Sequence, residues 1–329
     1  MKKYACLLLF ALLLNGCDDG DLTPETIDFD DPSIKIEYCT NTYELLYKLK
    51  SQESLLLQMP KDILKNQATA DDAPQTFAIN TSTHRLFYRT YDGTVAKANI
   101  CDAIRPSSPN ITDEWYALGG TIVIHTKPKY DVNVTENSTR IVGYTHSISF
   151  KNLSYSKPAG VQVGPNFVFG DIDTDFDDLD LTFGDEKVET CTSATNGKIV
   201  YNFNDLTSLT INNIDPDLIA NEVTPLGTPR TRLISATQNK VIYNVYNGLI
   251  PTDYFCKTPV PATPAITQTW TGLDGVAGES GIIEVTTTSV GPNVFKHIIV
   301  LKNVILDNGN VNFKLGRSFL LGELQTESN

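Results

Sequence analysis

The chain has 329 residues, enough for about two domains with cores of their own. Its net charge is −13, and two short segments account for the acidic excess: residues 18–37 hold eight acidic groups and one Lys, and residues 171–189 hold nine acidic groups and one Lys. The rest of the chain is close to neutral and has no basic stripe. This argues against nucleic acid as a partner, because such binding depends on cationic contacts to phosphates.

The N-terminus predicts an export signal. Two lysines precede an apolar run at residues 5–14, which is too short for a bilayer core that needs about 20 residues. The run leads into the sequence LNGC, which resembles the lipobox of bacterial lipoprotein precursors. The resemblance implies that residues 1–16 are a signal peptide and that Cys17 is acylated, with palmitate among its chains. Several acyl chains would anchor the protein stably in a lipid bilayer.

Acidic residues follow directly after Cys17, in the sequence DDGD. They resemble the surface-export signal of Bacteroidota lipoproteins, which implies an outer-membrane lipoprotein exposed at the cell surface. The alternative is a periplasm-facing anchor on which the same residues are a solvated tether. In both cases residues 17–36 are predicted to be the lipidated cysteine and an acidic tether.

An internal repeat predicts the domain organisation. With a shift of 155, residues 84–118 align with residues 239–273 without a gap, and Cys and Trp are 14 residues apart in both copies. Later segments match with small gaps. The repeat predicts copy 1 at residues 37–172, an acidic linker at 173–188, copy 2 at 189–324 and a tail at 325–329.

The cysteines agree with the repeat, since each copy owns two of the four that remain after Cys6 and Cys17 are set aside. In an oxidising envelope this spacing implies one disulfide per copy. Three pairings of the four cysteines exist, and the repeat favours pairing within a copy. A metal site is a poorer alternative because there is no Cys-x-x-Cys spacing. The predicted bonds are Cys39–Cys101 and Cys191–Cys256.

The secondary structure is predicted to be β, because copy 2 is a series of short runs rich in Val, Ile, Thr, Tyr and Phe that partly alternate. One short helix is expected in each copy, at residues 61–67 and 216–222, the second with Asp215 as N-cap. About seven strands per copy favour two tandem β-sandwiches of the Ig-like class. A barrel is the alternative.

Alternating carboxylates form the sharpest local pattern in the chain. Oxygen ligands in such a run suit Ca²⁺, which takes six to eight of them. The glycine and glutamate that an EF-hand loop requires are missing, so a solvated linker is the competing interpretation. The predicted calcium ligands are Asp171, Asp173, Asp175 and Asp177, and no other cofactor is indicated.

The sequence indicates binding rather than catalysis. None of its four histidines lies in a metal-ligand motif, and no nucleophile motif is present, so no catalytic residues are predicted. Trp115, Tyr116 and Trp270 are candidates for an exposed aromatic ligand platform. The leading hypothesis is a non-catalytic binding or accessory subunit that recognises an envelope protein. The first alternative is a carbohydrate-binding lipoprotein that uses this platform, and the second is an envelope hydrolase.

Overall fold

The computed structural model describes residues 27–157, 160–177, 179–183, 186–193 and 196–328, and the chain is nearly all β over these ranges. The all-β prediction is therefore confirmed. The predicted signal peptide and the lipidation site at Cys17 lie outside the described residues. Within those residues, no helix has the length and apolarity needed to cross a membrane.

The fold divides into two compact units. The first comprises the described residues up to 61, with 77–122 and 149–170. The second comprises 62–76, 123–148 and the described residues from 171 onward. Segments of copy 1 thus contribute to both units, and the domain boundaries derived from the repeat stay a prediction.

Copy 1 forms a single nine-stranded sheet of order β1-β2-β3-β5-β6-β7-β8, with β4 paired to β6 and β9 paired to β7. Two strands are unusually long, and their burial alternates as one buried face requires. The elements are β1 Glu37–Tyr38, β2 Leu45–Leu49, β3 Glu53–Gln58, β4 Gln75–Ala78, β5 Arg85–Tyr91, α1 Lys97–Cys101, β6 Ile111–Asn133, β7 Ser138–Lys157, β8 Gly160–Val163 and β9 Phe167–Asp175.

Copy 2 forms two sheets, as a sandwich requires: a seven-stranded one of order β10-β11-β12-β14-β15-β18-β19 and a four-stranded one of order β13-β16-β17-β20. Its strands are β10 Glu189–Ser193, β11 Gly197–Phe203, β12 Thr207–Asn212, β13 Arg230–Leu233, β14 Lys240–Tyr246, β15 Ile266–Gly272, β16 Ile282–Gly291, β17 Val294–Lys302, β18 Val304–Asp307, β19 Asn312–Gly316 and β20 Phe319–Glu327. Both sheets contribute to one large core, which includes Leu209, Trp270, Ile283 and Ile299.

Equivalent side chains make equivalent contacts in the two copies. The Tyr47 hydroxyl donates to Glu37 Oε2 at 2.9 Å, and the Tyr201 hydroxyl donates to Glu189 Oε2 at 2.8 Å. Each tyrosine also belongs to a small apolar cluster, against which Cys39 and Cys101 pack in copy 1 and Cys191 packs in copy 2. The sequence repeat therefore corresponds to a repeat of interior packing.

The two cysteine pairs differ. Cys39 and Cys101 form the predicted disulfide, with Cα atoms 5.2 Å apart. Cys191 and Cys256 are free thiols in the structure, so the second predicted bond is not formed. The Cys256 sulfur instead lies 3.3 Å from the Tyr201 hydroxyl. The Cys191 thiol lies within hydrogen-bonding distance of the Cys256 sulfur.

The predicted helices need a correction. Residues 61–67 are not helical, and in copy 2 only a single 3₁₀ turn forms, at Pro216–Ile219. Asp215 caps this turn by accepting from the Asp217 backbone N–H, whereas copy 1 has Pro60 at the matching place and so no side-chain acceptor. The short helices that were not predicted end at the second cysteine of each copy, at α1 and at the 3₁₀ turn Tyr254–Cys256.

The acidic segments before each copy also need a correction. Phe29 is fully buried, and Lys48 Nζ donates to its carbonyl oxygen at 2.8 Å. In copy 2 the Tyr243 hydroxyl and Thr207 Oγ1 both donate to the Asp180 carbonyl oxygen at 2.9 Å. Apolar side chains beside Asp180 pack on the large core: Leu179, Leu181 and Phe183. These parts of the predicted tether and linker therefore belong to the packed fold.

Candidate functional site

A buried histidine network lies in copy 1. His146 Nδ1 is 2.8 Å from Thr126 Oγ1, and its Nε2 is 3.0 Å from Thr174 Oγ1. The Thr174 hydroxyl donates its only proton to Asn66 Oδ1 at 2.5 Å, so it accepts from the Nε2–H of His146. Burial lowers the pKa of His146 to about 4, so the ring is neutral at neutral pH and Nδ1 accepts from Thr126.

Copy 2 repeats this network. His297 Nδ1 is 2.8 Å from Thr287 Oγ1, and its Nε2 is 2.8 Å from Thr326 Oγ1, which donates to Asn221 Oδ1. Burial lowers the pKa of both histidines to about 4. Because neither ring reaches solvent, we interpret both networks as structural clasps between a loop and a sheet.

The predicted tryptophan platform is wrong. Trp115 is 3% exposed and Trp270 is fully buried, because both indoles face the interior and pack on aromatic neighbours, Tyr88 and Phe313. The indole N–H of Trp115 donates to Asp113 Oδ2 at 2.6 Å. Tyr116, the third predicted platform residue, points to the opposite face of the sheet and is 42% exposed.

The predicted calcium ligands do not converge. Asp171, Asp173 and Asp175 lie on the outer face of β9, where side chains two positions apart are about 7 Å apart along the strand. The Asp173 carboxylate is already bound by Lys129 and Thr145, and these contacts lower its pKa. Among the described residues, no three side chains of metal-ligating type are grouped. The alternating pattern is thus the solvent face of a strand.

A groove of about 240 Å³ surrounds Tyr116 in the first unit, and we call it the Tyr116 groove. Tyr116 pairs across β5 and β6 with Phe87, so both rings lie on one face of the sheet. The polar side chains of the lining include Asn80, Arg85 and Glu114. The groove therefore joins an aromatic surface to a guanidinium, a carboxylate and an amide.

Stacking on Phe87 holds the two guanidinium groups at this groove in place. The Arg85 guanidinium carbon lies 4.3 Å from the Phe87 ring centroid, and that of Arg89 lies 5.7 Å from it. Arg89 also forms an ion pair with Glu114. Arg85 forms no ion pair within the described part of the chain, and its Nη1 donates only to the neutral Gln58 amide, at 3.3 Å.

A larger cleft, of about 1070 Å³, lies in the second unit, and we call it the Asp205 cleft. Its described lining contains no Lys or Arg. The Asp180 carboxylate accepts from Asn204 Nδ2 at 2.9 Å, which holds one wall in place. The lining combines carboxylates with aliphatic side chains: Asp177, Asp180, Asp205, Leu179, Leu206 and Val245.

A third cavity, of about 400 Å³, lies near the free thiols. It is lined by Glu189, Tyr201 and Glu323 among others, and Lys296 pairs with Glu323 at 3.0 Å. The carboxylates of Glu189 and Glu323 already have partners inside the fold, so they have less hydrogen-bonding capacity left for a ligand.

Comparison of the chain with protein-family models, with curated proteins and with solved structures gave no match.

Sequence reasoning found Tyr116 but missed the residues that surround it. Arg85, Phe87 and Arg89 alternate along one strand, which predicts that they share a face, and both arginines stack on the buried Phe87 ring. The Asp205 cleft had no such signal, because its walls come from the acidic segment and from the turn before β12, which are distant in sequence.

Proposed function

We propose that this chain is a non-catalytic binding or accessory subunit of the bacterial envelope, anchored through a lipid on Cys17, and that it recognises an envelope protein. The export signal and the lipobox resemblance support the location. The Asp205 cleft is the observation that carries the function.

The shape and charge of the Asp205 cleft favour a protein segment as its ligand. Its volume of about 1070 Å³ is slightly above the range of small-molecule sites, which runs from about 300 to 1,000 Å³. Leu206 and Val245 offer apolar contacts, while Asp177 and Asp205 supply negative charge without a basic residue in the described lining. An extended segment with basic and apolar side chains complements this surface.

A cross-linked pull-down of tagged full-length protein from its own envelope tests this proposal. We expect one dominant envelope protein at near-equal amount, and we expect the double variant Asp205→Lys, Leu206→Lys to lose it about tenfold through charge reversal. Ser51→Lys, Gln52→Lys is the matched control. Ser51 O accepts from Val95 N–H just as Asp205 O accepts from Ile250 N–H, both at 2.9 Å, so the same turn is altered in copy 1.

Two results contradict the proposal. One is that no protein is enriched. The other is that the control variant loses the partner as strongly as the cleft variant does, which would show that the cleft does not hold it.

Carbohydrate binding is the second candidate function, and a different observation favours it. The Tyr116 groove keeps the one half-exposed ring of the predicted platform and adds polar side chains around it. This candidate needs no contribution from the buried tryptophans.

A further inference from the structure

The Tyr116 groove has the chemistry of a small anionic ring site. We propose that it binds one sugar ring that carries a carboxylate. The inference rests on the second candidate function, and it is independent of the protein partner assigned to the Asp205 cleft.

The aromatic side chains supply the floor of this site. Tyr116 is half exposed, and its cross-strand partner Phe87 is almost buried, so Tyr116 is the ring that a ligand can reach. The apolar C–H face of a pyranose packs on such a ring, while its hydroxyls stay at the edge, where they can hydrogen-bond. An aromatic floor with a polar rim therefore fits a sugar better than a wholly apolar ligand.

The charge of the groove selects a carboxylate. Arg89 neutralises Glu114, which leaves the Arg85 guanidinium as the uncompensated charge in the described lining. Its stacking on Phe87 and its hydrogen bond to Gln58 hold the guanidinium in one orientation before a ligand binds. A guanidinium binds a carboxylate through two parallel hydrogen bonds, which adds direction as well as attraction.

The Asn80 turn gives the groove a rigid wall. Asn80 Oδ1 accepts from the backbone N–H groups of Ser82 and Thr83, at 2.8 and 2.7 Å, and Asn80 N–H donates to the His84 carbonyl. A wall that is already ordered costs little entropy on binding. The volume of about 240 Å³ lies below the usual range for drug-sized ligands, so it suits a single ring.

Copy 2 shows what the scaffold looks like without this site. Its strands keep the buried partners of copy 1 but carry Lys240, Ile242 and Thr271 where copy 1 has Arg85, Phe87 and Tyr116. The aromatic floor and the guanidinium fork are therefore properties of copy 1 alone. Phe87 also packs in the apolar cluster of copy 1, whereas Tyr116 and Arg85 lie outside that cluster, so these two side chains are the ones that point to a ligand.

Calorimetric titration of the full-length protein in detergent micelles tests the inference. The probes are methyl glycosides of glucuronic, galacturonic and mannuronic acid and of N-acetylneuraminic acid, each paired with its neutral counterpart. We expect at least one acidic glycoside to bind about tenfold more tightly than its neutral pair. Tyr116→Thr and Arg85→Lys, which install the residues of copy 2, should each weaken that binding about tenfold.

Leu118→Thr is the matched control, since Leu118 lies on the same face of β6, is 41% exposed and does not line the groove. It should leave the affinity unchanged. The inference is overturned if no glycoside binds, if the neutral partner binds as well, or if Leu118→Thr weakens binding as much as Tyr116→Thr. Capture of the envelope protein by Tyr116→Thr should be normal, which separates this test from that of the Asp205 cleft.

Discussion

Copy 1 and copy 2 place equivalent tyrosines, tryptophans and histidines in equivalent buried positions, yet their outer surfaces differ residue by residue. Where copy 1 shows Tyr116 and Arg85, copy 2 shows Thr271 and Lys240. Buried positions are constrained by packing and by the cost of unpaired polar groups, whereas exposed positions are not. We therefore expect any difference in binding between the two copies to depend on these surface residues.

The copies also differ in how their strands continue. Copy 1 runs through β6 without interruption for 23 residues, whereas the matching stretch of copy 2 is divided between β15 in one sheet and β16 in the other. β15 ends at Gly272. This position has little room for a side chain, because a Cβ atom added there would lie 3.1 Å from the Val241 side chain. A shared core thus tolerates two chain routes on the same repeat.

Removal of the tryptophans tests whether the two interiors are equally important. We expect Trp270→Ala to lower the free energy of unfolding by about 5 kcal/mol and Trp115→Ala by about 3 kcal/mol, both from lost burial and the cavity left behind. Trp270 loses more because it lies in the large core, whereas Trp115 lies under Lys157, 3.6 Å from its ring centroid. Urea unfolding measures both.

Tyr116→Ala is the control for the tryptophan pair. Because Tyr116 is half exposed, its loss should change the free energy of unfolding by less than about 1 kcal/mol. A cost for Trp115→Ala as small as that of the control would contradict the burial of this indole.

The repeat made most of the interior predictable. Two cysteines per copy predicted the Cys39–Cys101 bond, which forms, and the Cys191–Cys256 bond, which does not, and strand-like runs predicted an all-β chain. The orientation of Trp115 was not predictable, since alternation in a strand shows that Trp115 and Tyr116 point to opposite faces but not which face is inside. Burial of Phe29 was not predictable for a different reason. The segment around it is mostly acidic, which predicts a solvated tether and gives no sign that one apolar side chain packs in the interior.

The sites were less predictable than the fold. Regular spacing of carboxylates predicted a calcium site, but the strand geometry of β9 spreads Asp171, Asp173 and Asp175 apart. Both cavities take their walls from segments far apart in sequence, which local patterns do not reveal. The sequence could therefore propose Tyr116 but not the groove around it.

The cysteine pairs give the next largest effect. Replacement of Cys39 and Cys101 by Ser should cost about 4 kcal/mol, because their bond closes a loop with a sequence separation of 62. Cys256→Ser in reduced protein should cost less than about 1 kcal/mol, since no bond is lost there. Chemical unfolding with and without reductant separates these two cases.

The free pair also has an order of reactivity. Burial raises the pKa of Cys191 to about 12, and Cys256 is exposed, so iodoacetamide should modify Cys256 first. In protein that has not been alkylated, a mild oxidant should remove two electrons and two protons and join both thiols in a disulfide, which protects them from iodoacetamide and should raise the free energy of unfolding by about 4 kcal/mol. Peptide mapping that finds Cys191 labelled first would contradict the structure of this site.

Acid should weaken both histidine clasps. An unfolded histidine has a pKa near 6.5, whereas buried His146 and His297 have pKa values of about 4, so the unfolded chain binds more protons between these values. The free energy of unfolding should therefore fall as the pH drops from about 6.5 to 4, by up to about 3 kcal/mol per histidine.

The single variants His146→Gln and His297→Gln should each remove part of this pH dependence, measured by urea unfolding across the same range. The charges around the two rings differ: Asp173 raises the pKa of His146, whereas Arg230 and Lys198 lower that of His297. A pH dependence that survives in the double variant would assign it to carboxylates instead.

The smallest effect concerns the cap that copy 2 has and copy 1 lacks. Asp215→Ala should cost about 1 kcal/mol, because the Asp217 N–H loses its acceptor at the start of the 3₁₀ turn. Asp217→Ala is the control, since Arg232 pairs with both carboxylates but only Asp215 is the cap. Its exposed pair should contribute less than about 0.5 kcal/mol. Equal losses in the two variants would mean that pairing with Arg232, and not the cap, distinguishes this turn from its counterpart in copy 1.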